Sequence, residues 1–556
     1  MAQPRDRLAQ LAKAYLWAQG PKEFKEARSI LQSDARLRGV TRERFHQLEE
    51  ILARGRQDLP SLPPQSGKGF ALQEIGVLLP PGERVPVLVQ LPPGYTPQRP
   101  WPMLVALHGG PPGSVEQAAR GAARMVSVWA DAAREAGWIV AAPVMTTVVS
   151  AGPRSRDRLP YEIFHQEQIL ALMAALRSRF QIDPDRIVAT GISLGSNFSI
   201  AMAGSQPDRL AAIVPVSTEG DSRELLLRNL LSLPVYLLEG ALDRNIRTLQ
   251  GPRALRAILT DFGYDLSYHE FPHRSHEGFQ EHYPDVLKWL AGRPRQVYPR
   301  QVLRVPHSGI MPVSRRLYWV ASDTRSGLLR ARAIPPSRIE LTARWTRRIT
   351  LFLHDRLVDM DQPVEIRVNG QRVFSGRVSR SVPAALRQVR RLGDERRIYS
   401  ARLTLPVPAA PDAIEAGQRL WRELKPTHPE GPLSFWEMYA TRALKERFPS
   451  LGFQGALVET PAPIKAGPEQ LALRVTRVEP GGAVARAGLK EGDVLLYVDG
   501  EPFFAGLEGE RGLYNWLIRE LRSEPRTYPF QLWRDGKVVR LAVEYQLGPY
   551  AGPSSR

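Results

Sequence analysis

The chain has 556 residues, more than one ordinary core accommodates, so three or four domains are expected. With 43% hydrophobic and 24% charged residues, and no apolar run near the ~20 residues that a membrane span takes, it has the composition of a soluble globular protein with no transmembrane span. The absence of cysteine excludes disulfides, thiolate metal sites and a cysteine nucleophile, and the net charge of +19 is concentrated between Arg293 and Arg402, where 24 arginines stand against 8 acidic residues.

Residues 1–57 read as a helical segment, with Leu11, Tyr15 and Leu16 spaced to form one face. Its start lacks the apolar core of a secretory leader, so the protein either stays in the cytoplasm or is a mature, extracytoplasmic form whose leader is gone. Residues 58–69, rich in Pro and Gly, read as a linker. From Phe70 to Gly292 short β runs such as "RVPVLVQL", "WPMLVALHGG", "RIVATGIS" and "PVYLLEGALD" alternate with amphipathic helices. Uninterrupted apolar strands of this kind predict a mainly parallel sheet covered by helices on both faces.

Residues 293–420 are β-rich and Arg-rich, and Asn369-Gly370 between two alternating runs is a two-residue hairpin signal. This segment reads as a β-sandwich-like accessory domain in which helices nearly vanish. Its basic surface is expected either to be ordinary solvated surface or to attract an anionic surface by long-range steering, with no specific nucleic acid as partner. Asp355, Asp359 and Asp361 have the look of a calcium loop but read as a solvated face, so no metal site is expected. Residues 421–556 form a last unit.

The stretch "ATGISLGSN" places Ser193 between Gly191 and Gly195, after a β-branched run and before a helix of small residues. G-x-S-x-G in this setting makes a sharp turn that lifts a serine hydroxyl above the sheet, and Ser193 is the candidate nucleophile. A serine hydroxyl needs a histidine base oriented by a carboxylate, in the chain order Ser, Asp, His. Asp243, just past the strand "PVYLLEG", is the candidate acid, ahead of Asp221, which begins a helix, and Asp265, which precedes the next strand. Of His269, His273, His276 and His282, His276 lies in the loop with freedom to reach back over the sheet and is the candidate base, with His273 second. The oxyanion needs two backbone donors. Leu194 supplies one, and in "LHGGPPGS" Pro111 and Pro112 have no N–H, which leaves Gly110, with Gly109 behind it. His108 would brace that loop. The insertion "VMTTVVSAGPRSRDRLP" would form a pocket wall or lid.

On "LPPGY", "LVALHGG", "FQIDPDRIVATGISLGSN", "EGALDRNI" and "PHRSHEGF", residues 70–292 resemble α/β-hydrolases of the esterase group that includes polyhydroxybutyrate depolymerase-like and feruloyl esterase-like enzymes. The resemblance implies an α/β-hydrolase fold and hydrolysis of a carboxylic ester through an acyl-enzyme, with no cofactor. "HGGPP" is also similar to the loop of prolyl-oligopeptidase-like peptidases, which makes a peptide substrate the alternative. "VTRVEPGGAVARAGLKEGDVLLYVDG" resembles the central portion of a PDZ domain, with Leu451, Gly452 and Phe453 where such domains bind a terminal carboxylate and "GLYNWLIRELR" as the facing helix. A peptide C-terminus is the partner this implies. A non-catalytic PDZ-bearing scaffold is a third reading, weakened by the presence of all three triad residue types.

Overall fold

The computed structural model describes residues 4–18, 20–55, 59, 72–79, 83–109, 115–145, 147–150, 156–159, 166–218, 224–243, 251–306, 313–424, 452–459, 471–498, 501–502 and 526–545. Three helices come first: α1 (Pro4–Trp17), α2 (Pro21–Ser33) and α3 (Arg42–Ala53). Thr41 caps α3 by accepting the Arg44 N–H at 3.3 Å, and Phe45, Leu48 and Leu52 give it one buried stripe.

An eight-stranded sheet follows, in the order β1-β2-β4-β3-β5-β6-β7-β8. Its strands are β1 (Leu72–Leu79), β2 (Glu83–Gln90), β3 (Trp101–Leu107), β4 (Ile139–Pro143), β5 (Ile182–Ile192), β6 (Ala212–Val216), β7 (Val235–Gly240) and β8 (Leu266–Phe271). β1 and β2 form an antiparallel pair and β2 runs antiparallel to β4, while β4, β3, β5, β6, β7 and β8 are mutually parallel. The central strands are buried along their whole length because helices cover both faces, and the pleat divides their side chains between two cores. Met103, Val105 and Leu107 point to the core formed with α5 (Gln166–Arg179), α6 (Leu194–Ser205) and α7 (Pro252–Asp261). Leu104 and Ala106 point to the other, formed with α4 (Val115–Ala136) and α8 (Tyr283–Ala291). This is an α/β-hydrolase fold. The insertion expected to form a pocket wall contains an antiparallel pair, Thr147–Ser150 with Arg156–Leu159.

Next comes a sandwich of a five-stranded and a four-stranded sheet with a common apolar core that includes Leu329, Ile339 and Ile366 from one sheet and Val320, Leu351 and Leu405 from the other. Asn369 (φ 52°) and Gly370 (φ 83°) are both left-handed, and the strands Val364–Val368 and Gln371–Gly376 pair across them, as the sequence predicts. The expectation that helices nearly vanish here is corrected. α9 (Val382–Leu392), capped by Ser381 and closed by Gly393 at φ 58°, and α10 (Pro411–Leu424) both belong to this region, and α10 crosses the division drawn at residue 420. α9 supplies Val382, Ala385, Leu386 and Val389 to the core of α1–α3, so the opening helices pack on the sandwich.

Of the 24 arginines between Arg293 and Arg402, 14 are exposed, and five, Arg295, Arg304, Arg344, Arg380 and Arg397, are buried. Arg295 is buried and donates to Asp394 at 2.6 and 3.1 Å and to Asp185 at 2.9 Å; Arg397 pairs with Asp208, whose carboxylate also accepts the Tyr318 N–H at 2.7 Å. Asp185 and Asp208 lie at the N-terminal ends of β5 and β6, so the sandwich seats on the edge of the sheet away from Ser193. Arg304 is fully buried and donates to the carbonyls of Ser314, Arg325 and Gly327, and Arg316 lies 3.5 Å above the Phe352 ring. Asp355, Asp359 and Asp361 come together as a cluster, but Arg42 of α3 reaches all three, and Arg380 pairs with Asp355 and Asp361. Guanidinium groups therefore meet this acidic charge.

The last unit is a sheet of the strands Phe453–Glu459, Leu471–Val478, Val494–Val498, Arg526–Arg534 and Lys537–Tyr545, with a short helix, Ala483–Arg486, between the second and third.

Candidate active site

Ser193 stands where β5 ends and α6 begins, at φ 57° and ψ −123°, a conformation that L-residues rarely adopt. The flanking glycines make it possible. A Cβ on Gly191 would lie 2.2 Å from the Gly195 carbonyl carbon, and one on Gly195 would lie 2.2 Å from the Leu107 carbonyl oxygen at the end of β3. These contacts are to backbone, which cannot swing aside. The Ser193 N–H donates to Val216 O at 3.0 Å, fixing the elbow to the end of β6. Leu194 opens α6, so its N–H is among the four that the helix leaves free, at the positive end of the helix dipole.

The loop after β3 passes directly against this turn, since a Cβ on Gly109 would lie 2.5 Å from Ile192 O and 3.0 Å from Ser193 Cβ. Gly110 lies outside the described residues. His108 is buried and braces the loop: its Nδ1 is 3.0 Å from Gly109 O, and its Nε2 accepts the Met145 N–H at 3.3 Å. Burial pushes the His108 imidazole below its ordinary pKa, which favours the neutral ring that this pair of contacts needs.

Asp243 follows the end of β7 in a turn closed by its own N–H on Gly240 O at 3.0 Å. Its side chain is fully buried, and His276 Nδ1 donates to its Oδ2 at 2.7 Å. Two backbone contacts bring the segments together, Ala241 N–H to Phe271 O at 3.0 Å and Leu242 N–H to Arg274 O at 2.8 Å. Gly240 is required at the crossing, because a Cβ there would meet Ser275 O at 2.3 Å. The His276 loop is also tied to β6: Ser217 Oγ donates to Glu277 O at 2.6 Å and accepts the Glu277 N–H at 3.0 Å. Ser193 and His276 are thus each pinned to the consecutive residues Val216 and Ser217. Among the described residues His276 is hydrogen-bonded to Asp243 and not to Ser193.

The alternatives stand elsewhere. Asp265 precedes β8 at the far end of the sheet and pairs with Arg293 at 2.6 Å, while Asp221 lies outside the described residues. His273 is exposed at φ 63°, His269 stacks on Tyr236 and His282 stacks on Phe271. Sequence reasoning missed the supports of this site, Ser217, Thr218 and above all Glu239, a carboxylic acid inside the apolar run "VYLLEG". The one signal was that lone acid in a strand buried on both faces.

In the last unit Gly452, at φ 81°, accepts the Glu479 N–H at 2.7 Å, and Phe453 is buried at the start of an edge strand. That strand pairs with Leu471–Val478 and, among the described residues, with no strand on its other side. Leu451 and the expected facing helix "GLYNWLIRELR" lie outside the described residues.

Residues 80–220 match the family model described as "Putative esterase", and residues 450–505 match that of the PDZ domain. No curated protein matches the chain. Similar solved structures include a thermostable esterase at 21% identity, covering 40% of this chain and 63% of that one, with a TM-score of 0.32. An S-formylglutathione hydrolase from Agrobacterium tumefaciens is 14% identical over 42% of this chain and 98% of its own, with a TM-score of 0.34. A ferulic acid esterase from Anaeromyces mucronatus is 16% identical over 42% of this chain and 93% of its own, with a TM-score of 0.33. With the strand order and the two family models together, the chain carries an esterase-family α/β-hydrolase domain and a PDZ domain.

Proposed function

We propose that the protein is a serine carboxylic-ester hydrolase working through an acyl-enzyme, with Ser193 as nucleophile, His276 as base and Asp243 as its orienting carboxylate. The observation that carries this reading is the 2.7 Å contact of His276 Nδ1 with the buried Asp243, made by a loop tied to the same strand end as the Ser193 elbow. With Nδ1–H committed to the carboxylate, Nε2 is left to take the serine proton as Oγ attacks the ester carbonyl. Asp243 offsets the charge of the imidazolium so formed. The Leu194 N–H, with Gly110 as its partner, would receive the developing oxyanion, and one such donor is worth about 3–4 kcal/mol. The imidazolium then protonates the departing alkoxide, and a water activated by His276 releases the acid. No cofactor enters this scheme.

The PDZ domain is read as a tether. The edge strand Phe453–Glu459, which among the described residues has a strand on one side, would accept a peptide C-terminus as an added strand, bringing the hydrolase to a partner. With 14 of the 24 arginines between Arg293 and Arg402 exposed, the sandwich keeps a basic surface that would attract an anionic one.

The test is a parallel assay of short-acyl nitrophenyl esters, feruloyl esters and chromogenic peptides on the wild type and Ser193→Ala, with fluorophosphonate labelling of the serine. Ester turnover lost by about 10⁴-fold or more in a folded Ser193→Ala protein supports the reading. Retained turnover removes Ser193 from it, and cleavage of peptides in preference to esters replaces the substrate class.

A further inference from the structure

Glu239 is wholly buried in β7, and the mechanism above does not use it. Its Oε1 accepts the Thr218 N–H at 2.8 Å, and its Oε2 has no hydrogen-bond partner among the described residues. The titratable groups that face it are Asp243 on the following loop and Tyr268 and Glu270 on β8. Among the described residues none of these groups is a cation, and Arg253 pairs with Glu270. An ionised Glu239 would be a buried anion with no counterion of its own among the described residues. Burial, reinforced by Asp243 and Glu270, pushes its carboxyl well above the usual range, which favours the uncharged acid.

What it holds is the turn at residues 217–218. Ser217 has φ 45°, a left-handed conformation that a non-glycine residue keeps only when its surroundings impose it. On one side of Glu239's contact, Thr218 Oγ1 donates to Asn197 Oδ1 at 2.7 Å, in the first turn after the nucleophile. On the other, Ser217 Oγ grips Glu277, the neighbour of His276, and Val216 O holds the Ser193 N–H. We propose that Glu239 is a positioning residue that, through the Thr218 amide, fixes the strained turn carrying both the Ser193 elbow and the His276 loop. This rests on the triad reading given above.

The test uses the full chain, an activated short-acyl ester and the variants Glu239→Ala and Glu239→Gln, with Ser193→Ala alongside. Misplacing a reacting group by about 1 Å costs on the order of 100-fold, so Glu239→Ala should lose about 10–100-fold in kcat with KM within about threefold of wild type. Glu239→Gln keeps an acceptor for Thr218 and replaces one neutral group by another, so it should stay within about threefold, with the acid limb of the kcat/KM profile unmoved. Wild-type kcat in Glu239→Ala overturns the proposal, as does an equal loss in Glu239→Gln. A fall of about one pH unit in the acid limb of Glu239→Gln also overturns it, since that would reveal a removed negative charge. Should Glu239→Ala not fold, Ser217→Ala cuts the next link: a loss of about tenfold or more in kcat at constant KM supports the proposal, and wild-type kcat overturns it. An active Ser193→Ala overturns the triad reading itself, whereas an inactive one beside a fully active Glu239→Ala removes only the role of Glu239.

Discussion

Replacing Asp394 by asparagine removes one carboxylate from the network by which the sandwich holds the N-terminal edge of the hydrolase sheet: Arg295 pairs with Asp394 and with Asp185 of β5, and Arg209, just before β6, lies 3.5 Å from Asp394. Arg295 and Asp394 are 2% and 3% exposed, and the guanidinium meets both carboxylate oxygens, at 2.6 and 3.1 Å. For charge centres some 4 Å apart at an effective dielectric of ~20, the attraction is about 4 kcal/mol. Loss of one partner of such a pair leaves the other charge buried, at a cost of about 3–5 kcal/mol. Asparagine keeps an acceptor for the Arg396 and Arg397 N–H groups, which now bond Asp394 Oδ1 at 3.3 and 3.2 Å, so D394N should fall near 3 kcal/mol. Urea unfolding of the full chain, followed by tryptophan fluorescence, measures this in the transition of the hydrolase and sandwich together. The arginines around Asp394 hold its carboxyl far below the usual range, so the stability it contributes is present above the unfolded-state pKa of about 3.9 and is lost only as pH falls toward the depressed native value. The difference between wild type and D394N should therefore be constant between about pH 6 and 8. Ester turnover of the folded variant should match wild type, because the pair lies at the opposite end of the sheet from Ser193. A destabilisation below about 1 kcal/mol would refute the argument, because the pair would then be acting as an exposed one.

Gly195→Ala drives a Cβ to 2.2 Å from Leu107 O and so forces β3 and α6 apart at the nucleophile; turnover per folded molecule should fall about 100-fold, and wild-type activity would show that the elbow relaxes freely. A chain ending at residue 439 should hydrolyse a small soluble ester within about twofold of wild type while losing any C-terminal peptide ligand, as measured by turnover and by peptide-array binding. Loss of small-ester turnover in the well-folded shortened chain would mean that the PDZ domain shapes the active site.

What was legible in the sequence was local. The elbow at Ser193 shows because its backbone tolerates only glycine at positions 191 and 195, and that demand is written in five consecutive letters. The meeting of Asp243 and His276 was readable because strand ends project loops to one edge of a parallel sheet, and the Asn369-Gly370 turn because two successive left-handed residues select that pair. The destination of the five buried arginines was not legible. Arg295, Arg304 and Arg397 find partners that are tens to hundreds of residues away, or that are bare carbonyls with no sequence signature, and composition alone made them look like surface. Glu239 shows the same limit, since its hydrogen-bond partner among the described residues is a backbone N–H on a different strand end.

The packing of α1–α3 against α9 also bears on how the protein is made. Phe45, Leu48 and Leu52 leave the ribosome roughly 330 residues before Val382, Leu386 and Val389, which complete the core they belong to. At about 5–20 residues per second that interval is on the order of 15–65 s, during which the whole hydrolase sheet is synthesised while the first helices wait with an apolar stripe uncovered. The hydrolase sheet can close in that interval from its own strands, but the opening helices cannot be completed until the sandwich arrives.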